Sequence, residues 1–202
     1  ASKLDLQEVY RKWFDYHLGE RNNEVKDWAH VRLFIMNGNR WIEADDWPVP
    51  GTEYVKYYLR EGNRLKKRKP NTDELPDKYT YDPENPAPFI WSYSVDSGGP
   101  DNYEKVDRRD DVIIYETDVS EDILTVAGPI TATIYAATSA TDTDWVARIS
   151  LVHPSGYVQR LTEGWVRARS RNGLFQNELI EPGVIEEYKI DLWGTAVDIL
   201  PG

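Results

Sequence analysis

The sequence contains no cysteine. Disulfide frameworks and thiolate metal sites are thereby excluded, and both a cytoplasmic and a secreted setting stay open. Histidine is scarce: only His17, His30 and His153 occur, and no two are spaced as metal ligands usually are. His17 falls on the apolar side of a helical pattern, His30 begins a strand pattern and His153 precedes a turn, so each reads as structural. The Gly-x-Ser-x-Gly elbow of serine hydrolases is missing, and no serine sits on a strand-to-helix elbow. HExxH, P-loop and GxGxxG patterns are absent too, so neither a metal nor a cofactor is expected. Without these, a complete Ser-His-acid triad is not expected, and no catalytic residue is assigned to this chain.

Positive charge is also in short supply. Lys+Arg number 24 against 35 Asp+Glu, for a formal net charge of −11. Such a chain repels phosphate backbones and anionic lipid heads, so neither nucleic acid nor a membrane surface is an expected partner. The one basic run, residues 64–69 (RLKKRK), reads as a solvated loop. No apolar stretch approaches the length of a membrane helix. The N-terminus lacks the basic-then-apolar order of a signal peptide, and none is expected.

What is abundant is aromatic. Tyr (13) and Trp (8) outnumber Met (1), a composition that favours strands around a thick core or a ring-stacking site. A length of 202 residues suits one large domain, or a domain with an appendage. The chain opens with its one convincing helical pattern. Ser2 and Asp5 fit a capping box, and Leu6, Val9, Tyr10, Trp13, Phe14, His17 and Leu18 form a broad apolar stripe ended by Gly19. So apolar a face needs something to pack on.

After Gly19 the period changes to two. Residues 30–36 (HVRLFIM) and 40–43 (RWIE) predict a hairpin around Asn37-Gly38, and 52–59 (TEYVKYYL) predict another strand. Residues 61–88 carry five prolines and read as loop, with a short strand at 79–81. Strands are expected at 111–116, 129–139, 145–152, 157–171, 184–192 and 196–200. Short strands at regular spacing predict an all-β sandwich or jelly roll. Asp142 and Asp144 fit either an oxygen-ligand calcium site or a turn held by side-chain bonds to backbone, and the turn is preferred.

Several ordered segments resemble one family. These are 13–18 (WFDYHL), 31–47 (VRLFIMNGNRWIEADDW), 79–88 (YTYDPENPAP), 99–115 (GPDNYEKVDRRDDVIIY), 128–156 with its Asp-Thr-Asp, 163–171 (EGWVRARSR) and the closing Asp191-Leu192, Thr195 and Pro201-Gly202. They are similar to the second half of the serine hydrolase family that holds cocaine esterase, X-prolyl dipeptidyl-peptidase, α-amino acid ester hydrolase and glutaryl-cephalosporin acylase relatives. The resemblance implies a galactose-binding-like jelly-roll β-sandwich over residues 27–202. Residues 1–26 would be the terminal helix and linker of an α/β-hydrolase domain that lies upstream with its triad.

That catalytic domain, in the same parent chain or a separate one, is the implied partner, and the jelly roll would cap its cleft. The parent's activity would be ester, amide or X-Pro dipeptide hydrolysis through an acyl-serine, with this chain alone inactive. Within the family the loop before Gly99 approaches the cleft, which makes Phe89, Trp91 and Tyr93 the candidates for substrate contact; packing between sheets is the competing role for these rings. Asn102-Tyr103 stands where Asp-Gln is usual. The relatives continue past the closing Pro-Gly, so the sandwich is expected to lack its last strands, with a homo-oligomer formed through the open edge. The alternative is a carbohydrate-binding jelly roll, which would place two or more of Trp28, Trp41, Trp91, Trp145, Trp165 and Trp193 coplanar on the surface, whereas an accessory domain would bury most of them and leave one apolar patch around the helix and the 89–93 loop.

Overall fold

A computed structural model of the chain describes residues 4–19, 21–71, 74–90 and 102–202. Strands dominate and the fold is all-β. Two compact units are present: Ala1–Thr52 with Ile123–Gly128 and Ala196–Leu200, and Glu53–Asp122 with Pro129–Thr195 and Pro201–Gly202.

In the first unit, helix α1 spans Leu6–His17. Its N-cap is Asp5, whose carboxylate accepts from Gln7 N (3.0 Å) and Glu8 N (3.2 Å), so one aspartate satisfies two of the amides that a helix start leaves unpaired. The expected partner in capping, Ser2, lies outside the described residues. At the other end Leu18 N and Gly19 N both reach Phe14 O, at 2.9 and 3.2 Å. A Cβ on Gly19 would meet Asp15 O at 2.8 Å, which explains the glycine by close approach. A 3₁₀ turn, Glu24–Asp27, follows. Asn23 ties it to the helix, capping Val25 N at 2.9 Å while its own amide donates to Lys12 O at 2.9 Å.

Strands β1 (Val31–Ile35) and β2 (Arg40–Ala44) pair antiparallel, with Phe34 opposite Trp41. The hairpin is the expected one, but its loop runs over residues 36–39 rather than two residues. The reason is tertiary: Met36 N donates to Ala196 O (3.0 Å) and Met36 O accepts from Asp198 N (2.9 Å), so its backbone is unavailable to β2. Asn37 and Asn39 take positive φ (63° and 47°), which short amide side chains tolerate.

The second unit departs further from the sequence reading. Of residues 52–59 only the last two are in a strand, β3 (Tyr58–Arg60), which pairs with β4 (Arg64–Lys66). The basic run is thus half strand rather than all loop, because Gly62 and Asn63 (φ 76° and 61°) turn the chain back on β3. Residues 79–81 form no strand, and 111–116 form none beyond a single bridge of Glu116 to Arg64. Apolar alternation there found no neighbouring strand to pair with. Helix α2 is one turn, Glu104–Asp107.

The long strands are β5 (Leu124–Ala136), β6 (Asp144–Val152), β7 (Val158–Arg167) and β8 (Glu186–Ile199). β5 pairs with β8, and β6 with β7 through an antiparallel ladder that slips at Ile149/Ser150. β8 is continuous where the sequence suggests two strands, since Trp193 takes φ 62° without ending it. Along it Tyr188, Ile190 and Leu192 are buried and Glu187, Lys189 and Asp191 exposed, the period of two that packs one face. Tyr188 joins Ala168 and Ile180 in one core cluster, and Tyr103, Val106 and Val158 form another.

Candidate functional site

The motifs that are far apart in sequence meet as clamps. Arg109 grips Asp111 with two bonds of 2.7 Å and reaches back to Asn85 O at 2.6 Å, joining the 99–115 segment to the 79–88 loop. The guanidinium holds the Asp111 carboxyl below the usual aspartate range. Tyr115 donates to Asp77 at 2.5 Å, and burial together with that carboxylate pushes its phenol above the ordinary tyrosine range.

Asp142 and Asp144 meet the arginines of the 163–171 segment. Asp142 accepts from Arg169 N (3.0 Å), and Asp144 from Arg167 at 2.7 Å. Cations of the protein itself occupy these carboxylates, which is the geometry of a held turn. Among the described residues no group of three or more His, Asp or Glu is placed to hold a metal ion.

Phe89 is half exposed, with the Arg160 guanidinium 4.7 Å from its ring centre. Trp91 and Tyr93, the other two predicted contacts, lie outside the described residues. What is described are the flanks. On one side the Tyr103 hydroxyl accepts from Ile90 N (3.1 Å) and donates to Ile90 O (3.3 Å). On the other, Asn102 Oδ1 accepts from Val158 N (3.0 Å) and Glu104 N (3.1 Å). Asn102 and Tyr103 thus both serve as anchors. Tyr103 is buried beneath the Arg148 guanidinium, 4.2 Å from its ring, and Arg148 also pairs with Asp107. Burial raises the Asp107 carboxyl against the pull of that arginine.

The three histidines are engaged elsewhere than with a serine. His30 Nδ1 lies 2.8 Å from Asp45 O, His153 Nε2 lies 2.8 Å from Gln159 Oε1, and the His17 ring packs at a tilt against Trp13, 4.2 Å between ring centres.

The broad apolar stripe of the sequence divides on α1 into two surfaces. Leu6, Tyr10, Phe14 and Leu18, four residues apart, form one stripe in which every side chain is at least half exposed. Val9, Trp13, Tyr16 and His17 line an open cleft of about 680 Å³ whose other walls include Trp28 and Trp41. Helical spacing reveals the first of these, whereas the cleft exists only once the β1–β2 hairpin stands opposite the helix. The tryptophans do not follow the expected burial: Trp28 and Trp145 are partly covered, but Trp165 and Trp193 are about 70% exposed (68% and 70%).

Comparison with known proteins places this geometry in context. Residues 23–202 match the family described as X-Pro dipeptidyl-peptidase C-terminal non-catalytic domain. Cocaine esterase of Rhodococcus sp. (strain MB1 Bresler) is 33% identical, over 100% of this chain and 38% of the esterase. A putative serine esterase of Mycobacterium bovis is 28% identical over 79% of this chain and 26% of its own length. Among solved structures, an aminopeptidase from a marine sediment Thaumarchaeota archaeon superposes with a TM-score of 0.79 at 29% identity, covering 95% of this chain and 35% of that one. An α-amino acid ester hydrolase shares the fold, with a TM-score of 0.80 at 22% identity over 96% of this chain and 35% of the hydrolase. The chain spans little more than a third of each of these structures and of the esterase.

Proposed function

We propose, on the premise that this chain belongs to the X-Pro dipeptidyl-peptidase C-terminal non-catalytic domain family, that it is the accessory domain of a larger serine hydrolase and shapes one side of that enzyme's active-site cleft. The observation that carries this reading is the family match over residues 23–202 of a chain that covers only 38% of cocaine esterase. The parent reaction is hydrolysis of an ester, an amide or an X-Pro dipeptide bond through an acyl-serine supplied by the catalytic portion. The jelly-roll description of the all-β part belongs to this same reading.

The exposed Leu6–Tyr10–Phe14–Leu18 stripe supports it. An apolar helix face of this kind is stabilised by burial, and about 25 cal/mol per Å² of apolar surface is recovered when a partner covers it. The catalytic portion is the body that covers it here. Phe89, with Trp91 and Tyr93, is the part of this domain that faces substrate, and the bonds of Ile90 and Asn102 hold the flanks of that segment.

The test is turnover of p-nitrophenyl acetate and an Ala-Pro anilide by the purified chain, beside a serine-directed fluorophosphonate label. Neither turnover nor label is expected. Turnover with stoichiometric labelling would mean a nucleophile in this chain and would end the accessory reading. The exposure of Trp165 and Trp193 favours a carbohydrate-binding module as the second reading. Retention of the chain on insoluble polysaccharide, lost in Trp165→Ala and Trp193→Ala, would decide for that module.

A further inference from the structure

We infer that the cleft between α1 and the β1–β2 hairpin receives an apolar segment carrying a carboxylate, contributed by the catalytic portion of the parent hydrolase. This rests on the accessory-domain reading and names the chemistry of the partner at one place. The cleft is walled by three indoles, those of Trp13, Trp28 and Trp41, which favour an apolar or planar occupant. Among the described residues its charged lining is Lys26 and Arg32, with no aspartate or glutamate, although the whole chain carries −11.

Arg32 is partly neutralised, with Nε 3.0 Å from Glu43 Oε1 and its guanidinium 5.6 Å from the Trp41 ring centre. Lys26 has no ion pair among the described residues and is exposed. A positive rim on an apolar cleft in an acidic protein selects an acidic group on an apolar segment.

The occupant is a segment of the catalytic portion because of where the walls come from. One wall is α1, which precedes residue 23, where the family match begins; the others belong to the matched domain. The cleft therefore straddles that border. The same helix carries the uncovered Leu6–Tyr10–Phe14–Leu18 stripe, so a body that buries the stripe also reaches the cleft rim.

The test uses the parent hydrolase that contains this chain. Carbodiimide coupling followed by peptide mass spectrometry is expected to join Lys26 to an aspartate or glutamate upstream of residue 1. Acetylation of Lys26 is expected to be slower than that of the exposed Lys56. Lys26→Glu is expected to weaken association of this chain with a separately produced catalytic portion by about tenfold or more, as like charges in a closed contact repel.

Hydroxyl-radical oxidation of Phe14 separates the two ideas. Phe14 protected while Lys26 reacts like Lys56 overturns the cleft assignment and leaves the accessory reading standing. Phe14 and Lys26 both fully reactive overturns both. Coupling of Lys26 to a carboxylate within residues 1–202 also overturns the assignment, since the occupant would then be this chain itself or a second copy of it.

Discussion

Asp198 is the one buried acid among the described residues. Arg40 approaches it with two guanidinium nitrogens, Thr125 Oγ1 donates to it at 2.7 Å, and Asn37 Nδ2 donates to its backbone carbonyl at 3.0 Å. The bond from Arg40, then that from Thr125, holds its carboxyl below the usual aspartate range. Gly38 leaves room for this node, since a Cβ there would displace the Arg40 guanidinium and the Asp198 carboxylate. Asp198→Asn is expected to destabilise the chain by about 2 kcal/mol, which lowers the melting temperature by roughly 4–8 °C.

The sign of the pH dependence follows from the depressed value. The stabilisation is full above the ordinary aspartate range near ~3.9 and is lost as pH falls through the lower folded value. Thermal melts of the two proteins should therefore differ by a constant amount from neutral pH down to about 4, and the gap should close below that. A gap that opens on acidification would contradict the assignment. None of this was legible in the sequence: Arg40 and Thr125 lie 158 and 73 residues away, and nothing local marks Asp198 among 35 acids.

At the scale of elements, the helix and strands β5, β6 and β7 follow in outline from local pattern, because each has its own period and its own stop signals. Asp5 caps α1 and Gly19 ends it; turns at 142–144 and 154–156 bound β6. The failures are equally physical. Residues 52–57 and 111–115 have strand composition, yet a strand is a property of a pair, and no partner runs beside them among the described residues. Conversely β4 arises from a basic stretch because the turn at Gly62-Asn63 delivers it to β3.

Gly164 shows the same dependence on neighbours in β7. A Cβ there would coincide with the carbonyl oxygen of Asp191 in β8, a backbone atom that cannot swing aside. The Thr162 hydroxyl donates to Leu192 O beside it. Gly164→Ala is expected to force the two strands apart, with a loss of about 1–3 kcal/mol and a lower urea midpoint, even though the φ of this glycine is unexceptional. An unchanged midpoint would show that the strands part without strain.

For the molecule as a whole, the surface of α1 separates stability from assembly. Tyr10→Ser with Phe14→Ser removes apolar side chains that are more than half exposed. The melting temperature of the isolated chain is expected to change by no more than about 2 °C, as for other exposed positions. Binding to a separately produced catalytic portion should weaken by about tenfold or more, from the apolar area no longer buried. A large drop in melting temperature with unchanged binding would place the stripe in the folding of this chain instead. Titration calorimetry and melts on the same preparations measure both quantities.

What the sequence determined by itself is what local chemistry encodes: an all-β chain with one capped amphipathic helix, no thiol, no nucleophile elbow, and motifs whose order marks the family. The helix's apolar stripe was visible too, as a face in need of a partner. The tertiary structure alone decided what those motifs do, bringing Arg109 to Asn85 and Arg167 to Asp144. It also decided the Asp198 node and the indole-lined cleft. The physical reason is one of range. Caps, turns and periodicity act over a few residues and are written in the local sequence, whereas a clamp or a cleft joins residues whose separation only the folded chain closes.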